Sequence, residues 1–162
     1  MLDYGELLRA TLIFSFIGSG MMAGLFISFS TFMMKAFGSL EDAEGIRAMQ
    51  AVNRFIVRPS FLLVFLGTAV AAIAATFIAY VADGPWKLSA FAAAVYVAAC
   101  VLSTIAFNIP LNNRLATTDP LTTQGHEFWR QYLDEWTRWN HVRSVACVIT
   151  TILFAFSLTK IC

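Results

Sequence analysis

The sequence predicts an all-α integral membrane four-helix bundle with additional interfacial helices. Three observations carry that expectation. Charged residues make up only 13% of the 162-residue chain, about half the share of a typical soluble domain. The apolar residues gather in four runs that hold no charge, residues 10–34, 60–82, 88–113 and 144–159. Lys and Arg are also uneven between them. The connection after the first run carries Lys35, Arg47, Arg54 and Arg58, and that after the third carries Arg114, Arg130, Arg138 and Arg143, against Arg9, Lys87 and Lys160 on the other side.

A helix rises about 1.5 Å per residue, so about 20 apolar residues cross the hydrocarbon of a bilayer. The first three runs are long enough. The fourth must recruit Val142, with Arg143 snorkelling or facing the bundle interior. One domain with spans at residues 10–34, 59–82, 88–111 and 142–160 follows. The charge bias puts both long loops and most Lys and Arg in the cytoplasm and both termini outside, as in a bacterial inner membrane protein. The first run has a mixed-charge front, exceeds a signal-peptide core and ends without a small-x-small site, so a retained span is expected.

Span 1 holds Gly18, Gly20 and Gly24. Gly20 and Gly24 form a small-x-x-x-small pair, expected to serve close helix packing. Ser28, Ser30 and Thr31 are expected to bond their own helix carbonyls. Residues 39–56 read as an interfacial helix with Ser39 as N-cap and Ile46, Met49, Val52/Asn53 and Ile56 on one side. Pro59 opens span 2, whose Ala71, Ala75 and Ala79 form a small face. Residues 82–86 make a tight turn, so spans 2 and 3 are an antiparallel hairpin. Pro110 is expected to bend or end span 3. Helix resumes near Gln124, with no Pro or Gly from Glu127 onward, so one long helix either runs into span 4 or bends near Trp139.

The stretch 107–144 contains three of the four Trp and both His. Trp129, Trp136, Asn140 and Arg143 fall at helical offsets that keep one face. Asn108 and Asn112 share a face at the end of span 3. The two sets lie near the same end of the bilayer and can meet. Arg143 supplies a fixed positive charge and the amides supply orientable donors and acceptors, a combination able to stabilise an enolate or phenolate oxygen. Interfacial anchoring by a Trp belt and snorkelling Arg accounts for the same residues without chemistry.

Other chemistries fare worse. His126 and His141 sit roughly 22 Å apart along one straight helix at 1.5 Å per residue, so they do not share a metal there, and His126 reads as a solvated surface residue. The three cysteines, Cys100, Cys147 and Cys162, form no spaced cluster, which supports neither a disulfide scaffold nor a thiolate metal site. Net charge near +1 argues neither for nucleic acid nor for a basic membrane-surface patch.

The FN-x-PLNNRL segment and the W-x-x-Y-x-x-x-W-x-x-W-N-x-x-R pattern resemble the anthrone oxygenase-like family of small integral membrane proteins. The matching residues are Asn108, Pro110, Asn112, Asn113, Arg114, Trp129, Trp136, Trp139, Asn140 and Arg143. The resemblance implies a cofactor-independent oxygenase that converts a flat aromatic ketone to a quinone with dioxygen. Carried onto this chain, it implies Arg143, Asn140 and His141 as catalytic candidates, His141 as the base. Asn108, Asn112, Trp136, Trp139 and Arg114 are then the substrate contacts, with no cofactor and no metal.

The expected function is a membrane-embedded oxygenase or oxidoreductase acting on an anthrone-like or quinol-like substrate. Two alternatives stay open: a non-enzymatic membrane protein that binds lipid, quinone or a protein partner, and a haem- or metal-binding protein. The expected partners are a hydrophobic small molecule, the lipid bilayer and a possible second copy of the chain.

Overall fold

The computed structural model describes residues 4–84 and 86–161. Among them every regular element is a helix. Four are long and apolar enough to cross a membrane: α1 (Tyr4–Gly38), α3 (Pro59–Val81), α4 (Trp86–Ala116) and α5 (Thr123–Thr159). A fifth, α2 (Asp42–Ile56), connects α1 to α3. Side chains such as Leu63, Val70 and Phe77 are about two-thirds exposed on the outer faces, where only a hydrocarbon solvent accommodates them without cost. This is an integral membrane four-helix bundle.

The long helices pack in a ring. α1 lies between α3 and α5, and α4 closes the ring between the same two. The interior has three layers. At one end Ala72, Ala75, Ala79, Ala92 and Ala93 let backbones approach, with Leu8, Leu12 and Phe154 filling between them. The middle layer holds Met22, Phe26, Phe65, Tyr96, Cys100 and Cys147. The other end, where α2 lies, is aromatic, with Phe29, Phe128, Trp129, Tyr132 and Trp136.

The close approach of α1 and α3 occurs at Gly18, not at the Gly20/Gly24 pair. A Cβ on Gly18 would run into the Thr68 side chain, one on Gly20 would make an ordinary 3.7 Å contact with Thr151, and one on Gly24 would meet nothing within 4 Å. On α3 the buried small face is Thr68, Ala72, Ala75 and Ala79, one position on from the expected Ala71 at its start.

Pro110 neither ends nor replaces the last turns of α4, which continues to Ala116. The irregularity precedes it. Residues Tyr96–Leu102 and Thr104–Asn108 form π-helical turns, and Pro110 then sits in the first turn of the α-helical segment Ile109–Ala116. Proline lacks an N–H and its ring crowds the carbonyl four residues back; a widened turn in front of it absorbs both defects. A third π-helical turn, Phe29–Met33, lies in α1.

Ser39 does not cap α2. Its N–H and hydroxyl both bond the carbonyl of Ala36, at 3.2 and 2.7 Å, so it closes α1, and α2 starts after Glu41 without a side-chain cap. α5 does begin with a cap: the Gly125 N–H donates to Thr122 Oγ1 at 3.1 Å. It then runs unbroken for 37 residues, passing Trp139 without interruption. Of the turn at 82–86, Pro85 lies outside the described residues. There Asp83 takes a left-handed backbone, with φ 52°, a conformation that Asp tolerates better than most residues.

Candidate functional site

α2 is fixed across the aromatic end by polar ties. Gln50 Nε2 donates to the carbonyls of Leu115 and Thr118, each at 2.9 Å. Arg130 donates to Asp42 at 3.3 Å. His126 is not simply solvated: its Nε2 lies 2.9 Å from the Pro120 carbonyl and its Nδ1 lies 3.8 Å from Asp42, which ties α2 to the first turn of α5. Gly45 makes the docking close, since a Cβ there would lie 2.7 Å from the Phe37 carbonyl and 2.8 Å from the Trp129 ring.

Beneath α2 is a cavity of about 300 Å³. α1 contributes Leu25, Phe26 and Phe29; α2 contributes Met49, Val52, Asn53 and Ile56; α3 contributes Phe61 and Phe65. Thr104 and Asn112 come from α4, and Trp136 and Arg143 from α5. Most of this lining is apolar. The polar groups are confined to Asn53, Thr104, Asn112, the Trp136 indole and the Arg143 guanidinium.

Arg143 is 4% exposed, so it does not snorkel. Its Nη1 donates to Thr104 Oγ1 at 3.2 Å and its Nη2 to Asn140 Oδ1 at 3.0 Å. The Asn108 amide is oriented by its neighbours. With its oxygen toward the cation it accepts from Arg143 Nη2 at 3.1 Å and from Trp136 Nε1 at 3.3 Å. The guanidinium carbon also lies 4.5 Å from the centre of the Phe26 ring and 5.1 Å from that of Trp136, positions in which ring faces stabilise a cation. Arg143 Nε is buried without a hydrogen-bond partner. Among the described residues the ion pairs are His126 and Arg130 with Asp42, and Arg138 with Asp134. The cation at the cavity wall is therefore held by neutral groups.

Each holder is itself fixed. Asn140 Nδ2 donates to the Phe26 carbonyl and to Ser30 Oγ, both at 2.7 Å. Ser30 also lies 2.9 Å from Ser144 Oγ, so unlike Ser28 and Thr31, which bond Gly24 and Ile27 carbonyls, it reaches across to α5. Asn112 Oδ1 accepts from Tyr132 at 2.7 Å and from Trp136 Nε1 at 2.9 Å. Asn53 Nδ2 reaches the Tyr132 hydroxyl at 3.4 Å.

The four residues Asn108, Asn112, Asn140 and Arg143 are thus brought together with Trp136. The other three candidates are not. His141 is exposed and absent from the cavity wall; two residues from Arg143 on the same helix, it points about 200° around the axis. It is not placed to act as a base there. Trp139 stacks on Phe107, with ring centroids 3.5 Å apart and planes at 4°, outside the cavity. Arg114 is exposed and lies over the Phe128 ring at 3.9 Å.

Sequence reasoning missed Thr104, Ser30 and the contribution of Asn53, and it missed a thiol pair. Cys100 and Cys147 are buried with their sulfurs 3.5 Å apart; Cys162 lies outside the described residues.

Residues 60–153 match the family model described as anthrone oxygenase. The chain belongs to the anthrone oxygenase family. The match contains α4 and the part of α5 that carries Asn108, Asn112, Trp136, Asn140 and Arg143, while α1 and α2, which complete the cavity, lie before it. No curated protein and no solved structure matches the chain.

Proposed function

We propose that this member of the anthrone oxygenase family is a membrane-embedded oxygenase that oxidises a flat, lipophilic hydroxyaryl ketone of the anthrone type. The observation that carries the reading is the Arg143 guanidinium, buried at the wall of an apolar cavity and bonded only to neutral groups. A cation so held stabilises a ligand that becomes an anion. The aromatic wall of Phe26, Phe29 and Trp136 offers faces on which fused rings can stack.

The chemistry then divides simply. The ring methylene opposite the ketone, held between the two aryl rings, loses a proton to water, and the resulting aryloxide oxygen at the former ketone lies against Arg143. The carbanion carbon reacts with dioxygen, and the peroxide takes back a proton from water to give a hydroperoxide at that carbon. Loss of water from the hydroperoxide leaves a second carbonyl. In sum, one CH2 and one O2 give one C=O and one H2O. The cavity wall carries no carboxylate and no imidazole among the described residues, so the protein acts by favouring the ionised substrate. Asn140, Asn108 and Thr104 act as positioning residues for the guanidinium.

The test is oxygen uptake by the purified protein in lipid nanodiscs, over a panel of anthrones and hydroquinones. The expected result is one dioxygen per substrate and a loss of about 10²-fold in Arg143→Ala, the effect of removing one oxyanion donor. Uptake no greater than that of Arg143→Ala would contradict the reading. Tight binding of a panel member without uptake would point instead to a non-catalytic quinone or lipid binder.

A further inference from the structure

Three sides of the cavity are covered by packed helices, apart from Val57, a 61% exposed lining residue at the junction of α2 and α3. Above it, α2 is held by Gln50 to the end of α4 and by Asn53 to α5. Below it, Phe65 and Tyr96 seal the middle layer, the tyrosine donating to the Phe65 carbonyl at 3.0 Å. α1 and α5 form the back wall, where Phe26, Phe29 and Trp136 are 4–5% exposed. The fourth side differs. α3 packs on the first half of α4 and on the π-helical stretch Tyr96–Leu102, without extensive contact further along. At that gap the cavity-lining residues are themselves exposed: Leu62 38% and Leu66 45% on α3, Ile105 55% and Ile109 42% on α4. Their spacing of four on each helix makes two facing aliphatic stripes. None carries a hydrogen-bonding or charged side-chain group, and their outward faces belong to the lipid-facing surface of the bundle.

We infer that the gap between α3 and α4 is a lateral portal, through which the site takes a ligand dissolved in the hydrocarbon of the bilayer rather than in water. The inference rests on the cavity being the ligand site of the proposed function, and it narrows the ligand to bilayer-partitioned planar compounds. Such a molecule keeps an apolar environment throughout its path and loses it only where its oxygen meets Arg143. Leu62, Leu66, Ile105 and Ile109 then set the width that a ring system must pass edge-on.

An inert photoprobe tests the route without relying on turnover. The protein in phosphatidylcholine vesicles is irradiated with trifluoromethyl phenyl diazirine, which partitions into bilayers, and labelled peptides are mapped by mass spectrometry. The expected result is labelling of Phe26, Phe29 or Trp136 in the native protein. That labelling falls at least fivefold in Leu62→Trp/Ile105→Trp and in Ile109→Trp. It is retained in Leu63→Trp, which is lipid-facing but outside the cavity lining. Because all these positions face outward, folding is checked by the melting temperature, and Ile109→Trp serves alone if the double variant does not fold. Interior labelling that is absent while Leu63 is labelled, or unchanged by the portal substitutions, would overturn the portal. Failure of the oxygenase reading would show instead as normal portal labelling without oxygen uptake.

Discussion

A guanidinium removed from water loses several kcal/mol of hydration even after relaxation. Arg143 recovers part of this from Asn140, Thr104, Asn108 and two ring faces. None of these supplies a negative charge. Replacement of Arg143 by Met, similar in length and apolar, is therefore expected to leave the melting temperature in detergent unchanged or raised while oxygen uptake falls by about 10²-fold. A structural arginine would show the reverse, a lower melting temperature. Thr104→Asp gives a sharper test, because it puts a carboxylate beside Nη1, where the hydroxyl now lies at 3.2 Å. The cation then has an internal partner, so the expected outcome is a folded protein with anion binding and uptake lost together. Retained uptake in that variant would mean that the free charge of Arg143 is not used.

Glycine positions separate packing from mere presence at the scale of the helices. Gly18→Ala forces a Cβ onto Thr68, whose hydroxyl is itself bound to the Val64 carbonyl at 2.6 Å, and the expected cost is about 1–3 kcal/mol. Gly24→Ala meets nothing and gains helix propensity, so it is expected to be neutral or stabilising by up to about 1 kcal/mol. Thermal unfolding in detergent measures both. Gly45→Ala belongs with Gly18, since it disturbs the contact of α2 with Trp129, and it should also impair the site that α2 roofs. Hydrophobic periodicity reveals only so much at this scale. It reads the four spans and the single face of Trp129, Trp136, Asn140 and Arg143, because each depends on neighbours three to seven residues away, and it leaves open whether α5 bends near Trp139. It does not reveal which glycine touches another helix. Nor does it foresee the π-helical turns, which rotate Thr104 and Asn108 into place ahead of Pro110. Ser30 was unreadable for the same reason: its partners Asn140 and Ser144 lie 110 and 114 residues away.

Small residues crowd the layer at one end of the molecule, and large aromatic residues fill the layer at the other. The cavity lies where the two regimes meet, between the middle and aromatic layers. Asn112, Trp136 and Arg143 of its polar lining, and Asn108 and Asn140 behind the guanidinium, were legible from the chain, because they stand out as polar groups at the ends of apolar runs. The rest depends on the ring order of the helices and on α2 folding back over the end, as does the separation of His141, Trp139 and Arg114 from the cavity. What the assembled site should do to a ligand is shift its ionisation, because a fixed cation favours the deprotonated form and the anion then persists to lower pH. A spectrophotometric titration of 1,8-dihydroxyanthrone, bound to the protein in nanodiscs under nitrogen, measures that shift without turnover. The expected result is an apparent pKa lower by at least about one unit on the native protein than on Arg143→Met, or about 1.4 kcal/mol of preference for the anion. The same pKa on both proteins would contradict the assignment of Arg143 as the anion-stabilising group.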